Sequence, residues 1–122
     1  MRFSPASVTE LSRIGLLSEL PGEQLTKLAQ HMRREEVGPG QPLIREGDNG
    51  DRFYVVLNGL FSVTQESRGL RRVLKPGDYY GEVALTMDLP RTASVSPMTR
   101  ATVASCDRET FDEFIRPLFS EA

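Results

Sequence analysis

From Arg34 to Cys106 the chain is broken at short intervals by glycine, proline and Asn/Asp-rich turns. Such punctuation argues against long helices and reads mainly as short strands. Val37-Gly38-Pro39-Gly40 reads as a turn, Leu43-Ile44 as a short strand, and Glu46-Gly47-Asp48-Asn49-Gly50-Asp51 as a tight polar turn. Phe53 to Leu57 is strongly β-prone, Asn58-Gly59 is a hairpin signal, and Leu60 to Gln65 is the expected partner strand. Leu70 to Leu74, the turn Lys75-Pro76-Gly77-Asp78, then Thr92 to Val95 and Ala101 to Cys106 complete the series. About eight short strands with turns roughly every 8–12 residues predict a sandwich or jelly-roll barrel.

Helical patterns flank this region. Val8, Leu11 and Ile14 keep helical spacing after Ser7, with Gly15 as a stop. After Pro21-Gly22, Leu25, Leu28, Ala29 and Met32 fall at i, i+3, i+4 and i+7 on one face. Asp107 suits an N-cap, and Phe111, Phe114, Ile115 and Leu118 form a closing apolar face that Pro117 should limit. Phe111, Phe114 and Phe119 are expected to dock on the strands. The expectation is an α+β domain over 1–122, with a helical lead-in at 1–33, an eight-stranded β jelly-roll barrel at 34–106 and a C-terminal helix at 107–118.

Composition excludes several functions. A length of 122 residues, 39% hydrophobic and 26% charged, suits one domain with its own core. A net charge of −2 argues against a nucleic-acid surface, and the pairs Arg33-Arg34 and Arg71-Arg72 are too short to form one. No apolar run approaches the roughly 20 residues that span a bilayer, and MRFSPASVTE lacks an apolar signal core. The one cysteine, Cys106, fits a reducing compartment, so a cytoplasmic location is expected. His31, the single histidine, reads as a surface or helix-end residue rather than a metal ligand. Metal-dependent jelly-roll enzymes need several histidines on barrel strands, and no activating partner sits near Cys106, so no enzyme is expected.

One stretch, YGEVALTMDLPRTASV from Tyr80 to Val95, does not fit plain packing. It is largely apolar, yet carries an acid after a glycine and an arginine after a proline. Gly81 permits a sharp turn and a close ligand approach. Glu82 to Met87 has the composition of a short helix, whose first N–H groups favour anions, and Ala84 is too small to cover them. Pro90 restricts the backbone before Arg91, whose planar fork matches two phosphate oxygens. A carboxylate accepts but does not donate, so Glu82 requires a ligand hydroxyl. A phosphate beside a sugar hydroxyl describes a nucleotide.

Tyr80-Gly81-Glu82-Val83-Ala84-Leu85 followed by Pro90-Arg91-Thr92-Ala93 resembles the phosphate-binding cassette of the cyclic nucleotide-binding domain family. The resemblance extends over LPGEQLTKLA, IREGDNGDRFYVVLNG, KPGDYYGE and the closing helix, nearly the whole chain. It implies cAMP or cGMP as ligand and no cofactor. Glu82 would take the ribose 2′-hydroxyl and Arg91 the exocyclic phosphate oxygens. Backbone groups around Gly81, Val83, Ala84 and Thr92 would complete the cradle, with Val63 and Gln65 lining the base pocket. A hydroxyl at Thr92 resembles family members that accept cGMP. The implied output is movement of the terminal helices, relayed to an effector domain: a channel, transporter, kinase or transcription factor. The alternative is a degenerate jelly-roll interaction domain that has lost its ligand, against which the intact Glu82 and Arg91 speak.

Overall fold

A computed structural model describes residues 4–119. Ser4–Pro5 (β1) leads into a five-residue helix, Val8–Ser12 (α1). Its start is held by a capping box: the Ser7 hydroxyl accepts from the Glu10 N–H while the Glu10 carboxylate accepts from the Ser7 N–H. A 3₁₀ turn at Leu17–Glu19 precedes Gly22–His31 (α2). Leu25, Leu28 and Ala29 are buried, as is Met32 just past the helix end, so the predicted apolar face is the one that packs. His31 is exposed, its Nδ1 lying 3.0 Å from the Lys27 carbonyl.

Seven strands follow: Arg33–Val37 (β2), Arg52–Asn58 (β3), Phe61–Gln65 (β4), Gly69–Leu74 (β5), Tyr79–Tyr80 (β6), Ser94–Pro97 (β7) and Ala101–Asp107 (β8). Between β6 and β7 lies a six-residue helix, Glu82–Met87 (α3). All pairings are antiparallel. They form a five-stranded sheet in the order β1-β2-β8-β3-β6 and a three-stranded sheet in the order β5-β4-β7.

This mixed helix-and-sheet architecture departs from the expected eight-stranded barrel, because the two sheets are not closed into one. Leu43-Ile44 makes only an isolated bridge, Ile44 to Val95, rather than a strand. The eighth strand is instead Ser4–Pro5, in the lead-in. Asn58-Gly59 is not a hairpin either: β3 pairs with β6 and β8, whereas β4 pairs with β5 and β7. A register shift at Val56/Asn58 precedes the last β3–β8 pair, Asn58 with Thr102, and the turn then carries the chain from one sheet to the other. Bonds from the Leu60 N–H to Thr99 Oγ1 and from the Met98 N–H to the Leu60 carbonyl anchor that corner.

The five-stranded sheet is covered on both faces, so β8 is buried from Ala101 to Cys106. Alternation splits its side chains between two cores. Ala101 and Val103 join Phe61, Val63, Leu74 and Val95 between the sheets. Ala104 and Cys106 join Phe53, Val55 and the lead-in helices. Burial pushes the Cys106 thiol up to about 12, which makes it unreactive near neutral pH.

The C-terminal segment is capped by Asp107, whose carboxylate accepts from the Thr110 N–H. It runs as Arg108–Thr110 (α4), a π-helical stretch at Phe111–Ile115, and Arg116–Phe119 (α5). Pro117 does not stop it, because the π stretch resets the hydrogen-bond register and places the proline in the first turn of α5, where no donor is needed. The Phe111 ring lies 5.3 Å from Phe53 and Phe119 lies 5.5 Å from Tyr79, which docks the segment as predicted. Residues 120–122, part of the domain expected over 1–122, lie outside the described residues, as do 1–3. Among the described residues, no helix is long and apolar enough to cross a membrane.

Candidate ligand-binding site

The expected site residues converge. Gly81, Glu82, Val83, Ala84, Arg91 and Thr92 all line one pocket of about 160 Å³ at the start of α3. Gly81 precedes the helix with φ +112, a left-handed conformation that disfavours any residue with a Cβ. A Cβ there would lie 2.8 Å from the Arg52 carbonyl oxygen and 2.9 Å from Arg91 Nη1. Glu82 is half-buried in the first turn, and among the described residues no hydrogen bond or ion pair engages its carboxylate. Val83 and Thr92 are exposed, and Ala84 is buried.

Arg91 is the unusual member. Only 7% of it is exposed, although its loop position predicts a solvated side chain. Nη2 donates to the Arg52 carbonyl at 2.7 Å, while Nη1 is buried without an acceptor. No carboxylate is paired with it among the described residues. Burial pushes its pKa below the ordinary value, and Tyr54, Tyr80 and Asp51 pull the other way; a guanidinium stays charged throughout the ordinary pH range. A buried cation with a spare N–H is costly unless something else supplies the acceptor.

The polar turn before β3 does more than reverse the chain. The Gly47 N–H donates to the Arg91 carbonyl and the Arg91 N–H to the Asp48 carbonyl, so the turn grips the arginine by its backbone. Gly50 completes the grip: a Cβ there would fall 2.7 Å from both Ala84 Cβ and Arg91 Nε. Sequence reasoning treats EGDNGD as a turn and misses Gly50 and the Arg52 carbonyl, since nothing local shows that this turn folds against Arg91. It also misses Arg72 and Tyr80, which line the pocket, the Arg72 guanidinium lying 5.9 Å above the Tyr80 ring. Val63, expected at the pocket, is instead buried between the sheets and does not line it. Gln65 Nε2 donates to the Thr92 carbonyl, buttressing the loop from outside.

A larger depression of about 640 Å³ lies beside Arg34, Asn58 and Arg100. Its partly buried cation, Arg34, is already bound by Glu10 and Glu36, so it has less to offer a ligand.

The sequence and the fold are similar to those of known proteins. A sequence model of the cyclic nucleotide-binding domain matches residues 34–117. The cAMP-dependent protein kinase regulatory subunit of Yarrowia lipolytica is 39% identical over 109 residues, covering 88% of this chain. The chain spans only 29% of that relative's length. The regulatory domain of Toxoplasma gondii protein kinase A, crystallised with cAMP, superposes with a TM-score of 0.86 at 27% identity, over 91% of this chain and 44% of that one. The regulatory subunit of a cAMP-independent protein kinase A from Trypanosoma brucei superposes with a TM-score of 0.87 at 26% identity, over 91% and 41%. With the family's sequence pattern running through strands of both sheets and through the pocket at the start of α3, this chain belongs to the cyclic nucleotide-binding domain family.

Proposed function

We propose that this domain binds a cyclic purine nucleotide, cAMP or cGMP, and performs no chemistry. The observation that carries the reading is Arg91: a buried guanidinium with an unpartnered Nη1, in a pocket that also holds Glu82. An exocyclic phosphate oxygen supplies the missing acceptor, and a charge-assisted bond in a desolvated site is strong. Glu82 accepts from the ribose 2′-hydroxyl, and the backbone around Gly81, Val83, Ala84 and Thr92 holds the remaining oxygens. Occupancy favours one arrangement of the terminal helices and so reaches an effector domain. Among channel, transporter, kinase and transcription factor, the names of the relatives favour a kinase, and the single cysteine fits a cytoplasmic setting.

A second reading has its own support. The Trypanosoma brucei neighbour is described as cAMP-independent, so this fold is compatible with a domain that does not answer to cAMP. A calorimetric titration separates the two readings. Stoichiometric binding of cAMP or cGMP is expected, with 5′-AMP roughly tenfold weaker or worse, because its dianionic phosphate brings extra charge beside Glu82. Equal affinity for cAMP and 5′-AMP overturns the phosphate assignment, and no heat with either cyclic nucleotide favours the second reading.

A further inference from the structure

A helix of six residues does not persist on its own, since nucleation costs more than so few bonds return. Yet α3 forms one wall of the pocket, so something outside it must hold it helical. Its N-terminal end has no side-chain cap. At its carbonyl end, the Asp88 and Leu89 N–H groups both turn back to the Ala84 carbonyl, Asp88 adopting a left-handed φ of 55. That leaves the Leu85 carbonyl for outside donors, and two arrive. Arg108 Nη1 donates to it at 3.1 Å and Arg116 Nη2 at 3.0 Å. Arg108 Nη2 reaches the Gly50 carbonyl at 3.3 Å, and Arg116 Nη1 lies 3.5 Å from the Thr86 carbonyl.

Both arginines belong to the C-terminal helical segment. On a regular α-helix, residues eight apart would point about 80° away from each other. The π-helical stretch at Phe111–Ile115 winds more slowly and brings both guanidiniums to one oxygen. Each is oriented by its own carboxylate: Asp88 lies 3.4 Å from Arg108, and Asp112 lies 2.9 Å from Arg116. Two cations at a helix carbonyl end also complement its dipole.

We infer that Arg108 and Arg116 are positioning residues for nucleotide binding: a clamp from the C-terminal segment that keeps Glu82–Met87 helical, so that Glu82 and the backbone of Val83 and Ala84 face Arg91. Neither arginine lines the pocket. The clamp rests on the proposed nucleotide site for its effect on affinity, but its effect on α3 stands apart from any ligand. Coupling through it is reciprocal, so a ligand that orders α3 tightens the docking of the C-terminal segment.

The test is the double variant Arg108→Met/Arg116→Met, with each single variant alongside. Both side chains are partly exposed, and methionine keeps their apolar stems, so the fold should survive. Amide hydrogen exchange without ligand should show Leu85 to Met87 losing protection by about tenfold while β3 and β8 keep theirs, a local change that a general loss of stability would not give. Affinity for cAMP or cGMP should fall about tenfold in the double variant, and less in the singles. Arg108→Lys/Arg116→Lys, which keeps the charge, should recover part of it. Unchanged α3 protection in the double variant overturns the clamp, as does a loss of protection spread evenly over the sheets. If the unaltered protein binds neither nucleotide, the reading of the pocket fails, and the exchange measurement still decides whether the arginines hold α3.

Discussion

The lead-in and the pocket region use charged residues in opposite ways. In the lead-in, Glu10 takes bonds from the Ser7 N–H and hydroxyl and an ion pair from Arg34, whose other arm reaches Glu36. Each of these groups has its partner within the chain. Around the pocket, Arg91 keeps a buried N–H without an acceptor and Glu82 a carboxylate without a donor, among the described residues. The first arrangement serves the fold. The second is costly at Arg91, whose buried N–H has no acceptor, and the nucleotide proposed above would supply one.

Arg91 gives the sharpest way to break this contrast. Arg91→Ala should cost about 2–5 kcal/mol of cyclic nucleotide affinity, as for one member of a buried charged pair, and Arg91→Lys should lose much of the same because the fork is gone. Stability should behave differently. Because Arg91 is buried and not paired with a carboxylate, Arg91→Met, which keeps the stem, should leave the empty protein as stable as before or more so. Calorimetry and thermal melting of the same samples check both arms. Normal binding by a folded Arg91→Ala protein would remove the phosphate assignment.

Two glycines extend the comparison. Gly50→Ala pushes a methyl to 2.7 Å from Ala84 Cβ and Arg91 Nε, and overpacking of this kind costs about 1–3 kcal/mol. Displacement of Arg91 should weaken nucleotide binding as well. Gly22, the first residue of α2, has nothing within 4 Å of an added Cβ, so Gly22→Ala should be neutral or slightly stabilising. Equal responses at the two positions, measured by denaturant midpoints, would mean that the pocket is not packed around Arg91 as described.

The apolar face of α2 and the cassette were legible in the sequence because their signals are local: helical periodicity in one, a dense motif in the other. What escaped was pairing at a distance. Asn58-Gly59 has the composition of a hairpin turn, yet β3 pairs with β6 and β8 while β4 pairs with β5 and β7, and partners so distant in sequence leave no mark at the turn itself. Gly50 escaped for the same reason, since its need to be small arises from Ala84 and Arg91, some 34 and 41 positions away (84 − 50 and 91 − 50). The family resemblance implies a pocket role for Val63, whereas its side chain lies in the core between the sheets. The burial of Arg91 is likewise a tertiary fact, since it arises where its loop bonds to the backbone of the turn at Gly47 and Asp48.

The paired side of the contrast carries a pH signature. Burial pushes the Glu10 carboxyl up, but the Ser7 N–H and Arg34 outweigh it and hold the group below its ordinary value of 4.5. A depressed folded pKa means that the stabilisation is complete above the unfolded value and is lost as pH falls through the folded one. Glu10→Ala should therefore cost about 1–2 kcal/mol at pH 7, from the cap and a partly exposed ion pair, and progressively less below about pH 4.5. Unfolding by urea at pH 7 and pH 3 measures the difference. An equal cost at both would show that the methylene packing of Glu10, and not its charge, matters.

The smallest expected effect separates the two nucleotides. Thr92 sits at the pocket edge, exposed, directly after Arg91, with its carbonyl held by Gln65 Nε2. Its position is thus fixed through the backbone, which leaves the hydroxyl free to turn toward a ligand. A guanine in the syn conformer places its exocyclic amino group near the phosphate, where a hydroxyl can accept from it; adenine carries no amino group there. Thr92→Ala should therefore weaken cGMP by about 1 kcal/mol, the net worth of one neutral hydrogen bond, and leave cAMP nearly unchanged. Parallel titrations at one salt concentration decide it, because only the difference between the two ligands isolates the base. A variant that weakens both equally would place Thr92 with Arg91 on the phosphate and would leave base choice to other residues of the pocket, such as Arg72.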